Sequence, residues 1–370
     1  MRLVAKTFKN LEPVCAYELR QLGADDVRVL KRAVSFSGGM DILYSANYCL
    51  RTASRVLVML AEFDARDYDA LYKQVKSIEW EHYLTANNTF SVSSTTYSEI
   101  FTNSQFVRYR VKDGIADYFR NKFGRRPNVD PENADIPSQV HIANTHCTIL
   151  LDSSGQSLHK RGWREEQTAA PLNEALAAGL VLISGWKGNT PLLDPFCGSG
   201  TILIEAAMIA MGIQPGAYRK SFAFQKWGNY DHELFRLVSS NRQMRKLDVD
   251  ITGSDISPRA LKIAQQNINA AGLSRQIRLR QANAATLHAM PSPLTIITNP
   301  PYGIRLQGDD LNTLYHDFGK VIKFNMRGAE AWILSGDKNA LKQIGLKPKS
   351  KTELLNGDIE CLFQGYDIKP

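Results

Sequence analysis

Residues 190–212 read TPLLDPFCGSGTILIEAAMIAMG, and this stretch decides the fold. Leu192 and Leu193 predict a short buried strand, and the alanine-rich run 202–211 carries a helical apolar pattern. Between them Gly198 and Gly200 permit a tight turn and close approach of backbone to a ligand. Strand, glycine turn and helix together aim backbone N–H groups at an anion. The glycine spacing is GxG, which matches neither the dinucleotide fingerprint GxGxxG nor the phosphate loop GxxxxGK[ST]. Asp194 stands before the turn as an acceptor-only group suited to a cationic amino group. A methionine moiety, with an ammonium and a carboxylate, fits this pair of partners. Read alone, the segment is equally compatible with a structural βα turn.

The next unit, VDITGSDISPRALKIAQQNINAAG (249–272), predicts a strand ending at Asp255 and a helix capped by Ser257 with Pro258 in its first position. An acid at the end of the second strand can bind two ribose hydroxyls. The same acid can serve only as a favourable charge at a helix N-terminus. A third candidate strand, QIRLRQANA (276–284), ends near Asn283, whose amide can meet an adenine amino group or simply close a turn. Cys197, inside the glycine loop, reads as a small space-filler, because no partner base for a nucleophile is evident.

TIITNPPYG (295–303) completes the pattern. Leu294, Ile296 and Ile297 predict a buried strand, with Asn299, Pro300, Pro301 and Tyr302 at its C-terminal lip, where open α/β sheets bind ligands. The chemistry this suits is methylation of a planar exocyclic amine, a poor nucleophile because its lone pair is delocalised into the ring. The Asn299 amide oxygen and a backbone carbonyl can accept its two hydrogens and favour a pyramidal nitrogen. The two prolines fix φ and pre-aim that carbonyl. Tyr302 offers a face on which a flipped base can stack. The competing reading is a strand-ending Pro-Pro turn with a packed tyrosine.

DPFCGSGT, SDIS and NPPYG, in this order on strand ends, resemble class I S-adenosylmethionine-dependent methyltransferases that act on exocyclic amines. The whole chain is similar to the bacterial THUMP-domain RNA methyltransferases, in particular to the guanine-N2 half of a large-subunit ribosomal RNA enzyme. LDSSGQSLHKRGWR (151–164), APLNEALAAGL (170–180), IQPGAYRKSFAFQKWGNYD (213–231) and NGDIECLFQGY (356–366) share that resemblance. It implies S-adenosyl-L-methionine as cofactor. Asp194, Phe196, Cys197, Gly198 and Gly200 would surround its methionine end, Asp255 its ribose, and Asn283 and Ala284 its adenine. Asn299 would border both cofactor and base, with Pro300, Pro301 and Tyr302 holding the base. One departure is Asn283, where such enzymes often carry Asp; its amide oxygen can still accept from an amino group. The chain closes soon after this unit, so the second methyltransferase fused in some bacterial enzymes is expected to be absent.

A chain of 370 residues exceeds one ordinary core. The expected division is a ferredoxin-like unit over 1–60, a THUMP unit over 61–155, and a linker with the methyltransferase domain over 156–370, the latter starting near Thr168. The first unit alternates helix and strand in a βαββαβ-like order. The second reads as a strand at 89–95, a helix at 103–123 and a hairpin turning at Asn144 and Thr145. The third alternates strand and helix, predicting a mostly parallel seven-stranded Rossmann-like sheet with an antiparallel terminal hairpin turning at Asn356 and Gly357. The fold class is therefore α/β, preceded by two α+β units.

Five scattered cysteines without a CxxC pair argue against a disulfide framework and a zinc site, and the histidines show no paired spacing. No metal is expected. No apolar run approaches membrane-spanning length and the N-terminus has no signal-peptide core, so a soluble, cytoplasmic protein is expected. The net charge of +8 permits a polyanionic partner. Val107, Val111, Ile115 and Phe119 form one helical stripe, leaving Arg108, Arg110, Lys112, Arg120 and Lys122, followed by Arg125 and Arg126, for other faces. Residues 101–130 thus hold seven Lys/Arg against three Asp, the best electrostatic footprint for RNA; an ordinary solvated face has the same composition. Lys160, Arg161 and Arg164, beside Trp163, add a second basic cluster where phosphate contact is expected. The leading reading is guanine-N2 methylation of 23S ribosomal RNA. Transfer RNA guanine-N2 and adenine-N6 methylation are the enzymatic alternatives, and a ribosome-assembly RNA-binding factor is the non-enzymatic one.

Overall fold

The described residues form two sheets, one of eight strands and one of seven. The computed structural model describes residues 1–166, 171–240, 244–302 and 309–370. The N-terminal elements are β1 (Arg2–Thr7), α1 (Glu12–Gln21), β2 (Asp25–Leu30), β3 (Ala33–Ser37), α2 (Met40–Cys49) and β4 (Ala53–Asp64). This is the βαββαβ order read from the sequence. There follow α3 (Tyr68–Lys76), β5 (Thr89–Tyr97), α4 (Ser104–Phe123), β6 (Asn128–Val129), β7 (Ile136–Ala143) and β8 (His146–Asp152). All eight strands form one sheet in the order β2-β3-β1-β4-β8-β7-β5-β6. The long β4 joins the two units, pairing with β1 through Ala53 to Val58 and with β8 through Leu57 to Asp64. The expected division after residue 60 therefore falls inside a strand, and the hydrogen-bonded ladder continues across it. A strand of 12 residues can take different partners along its two halves, a feature that an alternation pattern does not reveal.

The predicted hairpin turns at Asn144, which adopts φ +55°. α4 is capped by Asn103, whose side chain accepts from the Phe106 N–H, and it stops at Gly124 with φ +71°. Its four stripe residues, Val107, Val111, Ile115 and Phe119, are all buried, as their spacing predicts.

The second sheet is built from β9 (Leu192–Asp194), β10 (Ile251–Asp255), β11 (Ile277–Gln281), β12 (Thr295–Thr298), β13 (Glu330–Ser335), β14 (Ser350–Asn356) and β15 (Ile359–Asp367). Its order is β11-β10-β9-β12-β13-β15-β14. The five strands from β9 to β13 run parallel, and β15 is antiparallel to both β13 and β14. This is the mostly parallel sheet with a terminal hairpin that the sequence predicts. Every residue of β12 is buried, as a strand covered on both faces requires. One face is packed by α5 (Glu174–Ser184), α6 (Thr201–Met211) and α8 (Pro258–Ala270), through Leu176, Leu203 and Ile268 among others. The opposite face carries α9 (Asp309–Asn325) and α10 (Lys338–Gln343), through Phe318, Ile322 and Leu341. Thr168, the expected start of this unit, lies outside the described residues.

One segment crosses between the two halves. Phe222, Phe224 and Trp227, upstream of α7 (His232–Ser240), belong to the core of the N-terminal sheet. Tyr44 of α2 stacks on Phe224 with ring centroids 4.5 Å apart, and its hydroxyl accepts from the Asp231 N–H at 2.9 Å. The resemblance flagged this stretch without assigning it a structure.

Candidate active site

Parallel pairing of β9 with both β10 and β12 brings three strand ends to one edge of the sheet. Asp194 ends β9, Asp255 ends β10, and Asn299 follows β12 directly. From β9 the chain proceeds to β10 and β11 on one side, and only then returns to β12 on the other. Such a switch point opens a crevice at the carboxyl ends of the strands.

Asp194 is 1 % exposed. Its Oδ1 accepts from the Thr298 hydroxyl at 2.6 Å and from the Phe196 N–H at 3.1 Å. Burial pushes its carboxyl up to about 7; the two hydrogen bonds oppose this and the nearby Asp255 charge adds to it. Phe196 packs edge-on against Phe318, 5.1 Å between centroids. Cys197 is buried and burial pushes its thiol up, which fits the space-filling role.

The glycine loop has the geometry its residues predict. Gly198 and Gly200 adopt φ +53° and +80°, and among the described residues a Cβ built on Gly198 would meet nothing within 4 Å. Open space beside a positive-φ glycine is room for a ligand. The Gly198 N–H, however, donates to Asp255 Oδ2 at 3.0 Å, so it is not left to an exogenous anion as expected. The Ser257 N–H donates to Oδ1 of the same carboxylate at 2.9 Å. Asp255 thus joins the loop to the start of α8, which Ser257 caps and Pro258 begins as predicted. Asn283 is exposed, and its Oδ1 accepts from the Ala285 N–H at 2.9 Å. The turn-closing alternative therefore describes its amide oxygen, and Ala284 beside it is buried.

At the lip of β12, Asn299 Oδ1 is buried and has no hydrogen-bond partner among the described residues. A buried amide oxygen left unpaired costs free energy that a donor arriving there recovers. Pro300 is buried, and the Pro301 carbonyl lies 3.3 Å from the Tyr315 hydroxyl, which also donates to Ser335 Oγ at 2.8 Å. The open stacking face expected of Tyr302 is not present: the residue is only 9 % exposed. Its hydroxyl accepts from Asn356 Nδ2 at 2.8 Å and Cys361 Sγ at 3.4 Å, and its ring passes where a Cβ on Gly336 would stand. The terminal hairpin thus anchors this ring. Gly303 lies outside the described residues.

The basic residues separate into two groups. Arg110 pairs with Asp69 and lies over the Tyr72 ring, Lys112 pairs with Asp113, Arg120 with Asp117, and Lys122 with Glu81. Arg108, Arg125 and Arg126 are exposed and have no ion pair among the described residues. Two further expectations need correction. Arg161 is 1 % exposed, with Nε on Glu205 Oε1 at 3.2 Å and its Nη atoms on the Leu158 and Arg51 carbonyls. Arg164 is bonded to Glu174, Ser199, Thr201 and the Leu172 carbonyl. Both guanidiniums are committed to hydrogen bonds within the fold; Lys160 is the exposed member of that cluster, and all three line a cavity of about 410 Å³ together with His159 and Gln156. Sequence reasoning missed Phe106 and Tyr109, which stand 45 % and 46 % exposed on α4 beside Arg108. The available signal was two aromatics outside the apolar stripe, interleaved with cations.

Comparison with known proteins follows the same division. A family profile described as "RMKL-like, methyltransferase domain" matches residues 161–364, a THUMP domain matches 65–152, and an "RlmL ferredoxin-like domain" matches 2–57. The chain is similar to a ribosomal RNA large subunit methyltransferase K/L of Syntrophotalea carbinolica, 37 % identical over 100 % of this chain and 54 % of that protein. It is also similar to a putative RNA methyltransferase of Synechocystis sp., 34 % identical over 98 % of this chain and 96 % of that protein. The chain thus spans about half the length of the ribosomal RNA relatives it matches. Among solved structures, SMU.472, a putative methyltransferase complexed with SAH, superposes with a TM-score of 0.91 at 30 % identity, covering 100 % of this chain and 98 % of that one.

Proposed function

We propose, from the premise that this chain belongs to the RMKL-like methyltransferase family, that it methylates the exocyclic N2 of a guanine in 23S ribosomal RNA with S-adenosylmethionine as donor. The observation that carries this reading is the buried Asn299 Oδ1, without a partner among the described residues, at the same strand-end lip as Asp194.

The residues present fit the cofactor. Asp194 Oδ1 is held by two donors, so among the described residues Oδ2 is the oxygen left to accept from an ammonium. Gly198 borders open space, and Asp255, exposed in part, is placed for vicinal hydroxyls. Phe196, Cys197, Gly200, Asn283 and Ala284 complete the wall. When bound, S-adenosylmethionine supplies an electrophilic methyl group. Asn299 Oδ1 and the Pro300 carbonyl accept the two N–H groups of the amine and localise its lone pair on nitrogen. The rigid Pro300-Pro301 backbone and the anchored Tyr302 keep these acceptors in place, so little reorganisation accompanies the reaction. The proton leaves to solvent after methyl transfer. A guanine must leave its stack to reach this lip, which favours a loop or a locally opened helix.

The THUMP and ferredoxin-like units, with exposed Arg108, Arg125 and Arg126, support an RNA substrate, and the names of the ribosomal relatives favour ribosomal over transfer RNA. Among the described residues no helix is long and apolar enough to cross a membrane; a cytoplasmic location matches the proposed substrate. The test is incubation with labelled cofactor and, separately, 23S ribosomal RNA and transfer RNA, followed by digestion and mass spectrometry of nucleosides. N2-methylguanosine from 23S RNA is expected. N6-methyladenosine, or product only from transfer RNA, overturns the proposal.

A further inference from the structure

Ser199 lies between the two positive-φ glycines of the loop, and its hydroxyl and its carbonyl are each held by a residue from elsewhere in the chain. Arg164 Nη1 donates to Ser199 Oγ at 3.2 Å and Nη2 to Thr201 Oγ1 at 2.9 Å. The same guanidinium donates through Nε to Glu174 Oε1 at 2.7 Å and through Nη2 to the Leu172 carbonyl at 3.0 Å. On the other side Asn267 of α8, fully buried, donates through Nδ2 to the Ser199 carbonyl and to the Glu166 carbonyl, each at 3.1 Å. Its Oδ1 accepts from the N–H groups of Glu165 at 3.0 Å and Glu166 at 3.4 Å. Asn267 was not singled out from the sequence, and Arg164 was read as an RNA contact.

Two glycines give a loop conformational freedom that a ligand must otherwise remove on binding. Here that freedom is curbed from outside. α8 approaches closely: a Cβ on Gly200 would stand 3.3 Å from the Ala264 Cβ, and Asn267 lies three residues further along the same helix face. Arg164 presents a planar fork that reaches loop, helix start and α5 start at once, which a lysine cannot imitate. Both holds lead back to residues 164–166, the continuation of the segment that Arg161 buries against Glu205 of α6.

We propose that Arg164 and Asn267 are positioning residues for the cofactor loop: by holding Ser199 at its hydroxyl and its carbonyl they preset the backbone of Gly198 and Gly200 for cofactor binding. This rests on the proposed function of the same site. Neither residue touches the reacting atoms; their effect passes through Ser199.

The test uses the full chain and two conservative variants. Asn267→Asp keeps the acceptor for the Glu165 and Glu166 amides but cannot donate to the Ser199 carbonyl. Arg164→Lys keeps a cation beside Glu174 but loses the fork. Cofactor affinity is measured by calorimetry well below the unfolding midpoint of each variant, together with the KM for cofactor and the single-turnover rate at saturating cofactor. Each variant is expected to raise both Kd and KM for cofactor about tenfold, the effect of losing one charge-assisted or buried hydrogen bond. The saturated rate and the affinity for RNA without cofactor should change less than threefold. A purely structural role would lower the unfolding midpoint and leave the cofactor Kd of the folded protein within twofold of wild type, which overturns the inference. If either variant does not fold, Ser199→Ala, which removes only the hydroxyl, is read by the same criterion. Failure of the wild-type protein to bind cofactor would instead overturn the proposed function itself.

Discussion

The lip of the seven-stranded sheet and the seam between the two sheets both bury carboxylates, and they compensate them in opposite ways. At the seam Glu205 is fully buried, its carboxyl raised by burial, and two guanidiniums, Arg161 and Arg51, draw it back down. Two of the polar atoms there without a hydrogen bond among the described residues, Glu205 Oε2 and Arg51 Nη1, belong to charges of opposite sign in one cluster. At the lip Asp194 is as deeply buried, yet the charged group that shifts it is another acid, Asp255. Among the described residues the lip contains an acid without a cation and an amide oxygen without a donor, whereas the acid at the seam has both guanidiniums beside it. Buried polar groups whose charge is matched within the chain belong to the architecture. At the lip an unmatched acid and an unmatched amide oxygen stand at neighbouring strand ends, which suits a cationic, hydrogen-bond-donating ligand.

Removing the seam's compensation is expected to give the largest effect. Arg161→Ala leaves Glu205 buried without its closest cation, and breaking a buried pair in this way costs roughly 3–5 kcal/mol of stability. The sign of the pH dependence follows from the acid left behind. Loss of the guanidinium raises the folded pKa of Glu205 further above its unfolded value, and an acid that binds its proton more tightly when folded loses stability as pH rises between those two values. Urea unfolding at several pH values checks this: the difference from wild type should widen toward high pH. A constant difference would mean that the loss is packing alone.

At the lip the corresponding deletion should leave stability nearly untouched. Asn299→Ala removes an acceptor that has no partner among the described residues, so folding loses little or gains slightly. Turnover should fall on the order of a hundredfold or more, the usual consequence of losing one preorganised group that acts on the transition state. Single-turnover rates and cofactor calorimetry, taken together, separate this from a binding defect. A near-normal rate would make Asn299 a turn residue and would erase the contrast between lip and seam.

The same contrast explains what the sequence makes legible. Asp194, Asp255 and Asn299 were found because each ends or follows a strand whose apolar residues, turn formers and helix cap lie within about a dozen positions. The α4 stripe and both hairpin turns were legible for the same reason. The seam was not. Arg161 bonds to Glu205 and to the Arg51 carbonyl, which lie 44 and 110 residues away in sequence, and an isolated arginine in a basic run reads as a surface cation. Phe224 and Trp227 were likewise opaque, because their ring partners Tyr44 and Tyr83 lie in the N-terminal half of the chain, more than 140 residues away. For Asn283 the sequence leaves a turn and an adenine contact both open, and its oxygen closes a turn two residues ahead.

A smaller effect follows from the uncompensated acid. With its carboxyl held at about 7, Asp194 is partly protonated near neutrality, and a bound ammonium stabilises only the ionised form. Cofactor affinity should therefore fall as pH drops below 7, by at most about tenfold per unit, and binding there should release a proton. Calorimetry in buffers of different ionisation enthalpy detects that release. Asp194→Asn should bind more weakly at pH 8 and show no such slope. A slope that persists in this variant would assign the titration to another group.

The smallest expected change concerns RNA docking and applies the lesson of the seam to an exposed surface. Arg110, Lys112, Arg120 and Lys122 already have acidic neighbours, so a phosphate must displace a carboxylate to reach them. Arg108, Arg125 and Arg126 have none among the described residues, and phosphate neutralisation there releases counterions at no such cost. Each phosphate contact contributes a little under one unit to the slope of log affinity against log salt. Replacing these three arginines with glutamine should flatten the slope by roughly two to three units, and weaken binding at moderate salt while leaving cofactor affinity unchanged. The matching change of the four paired residues should flatten it by less, although it removes one more positive charge. If the two sets flatten the slope in proportion to charge alone, internal pairing does not decide which cations are available, and the rule drawn from the seam stops at the surface.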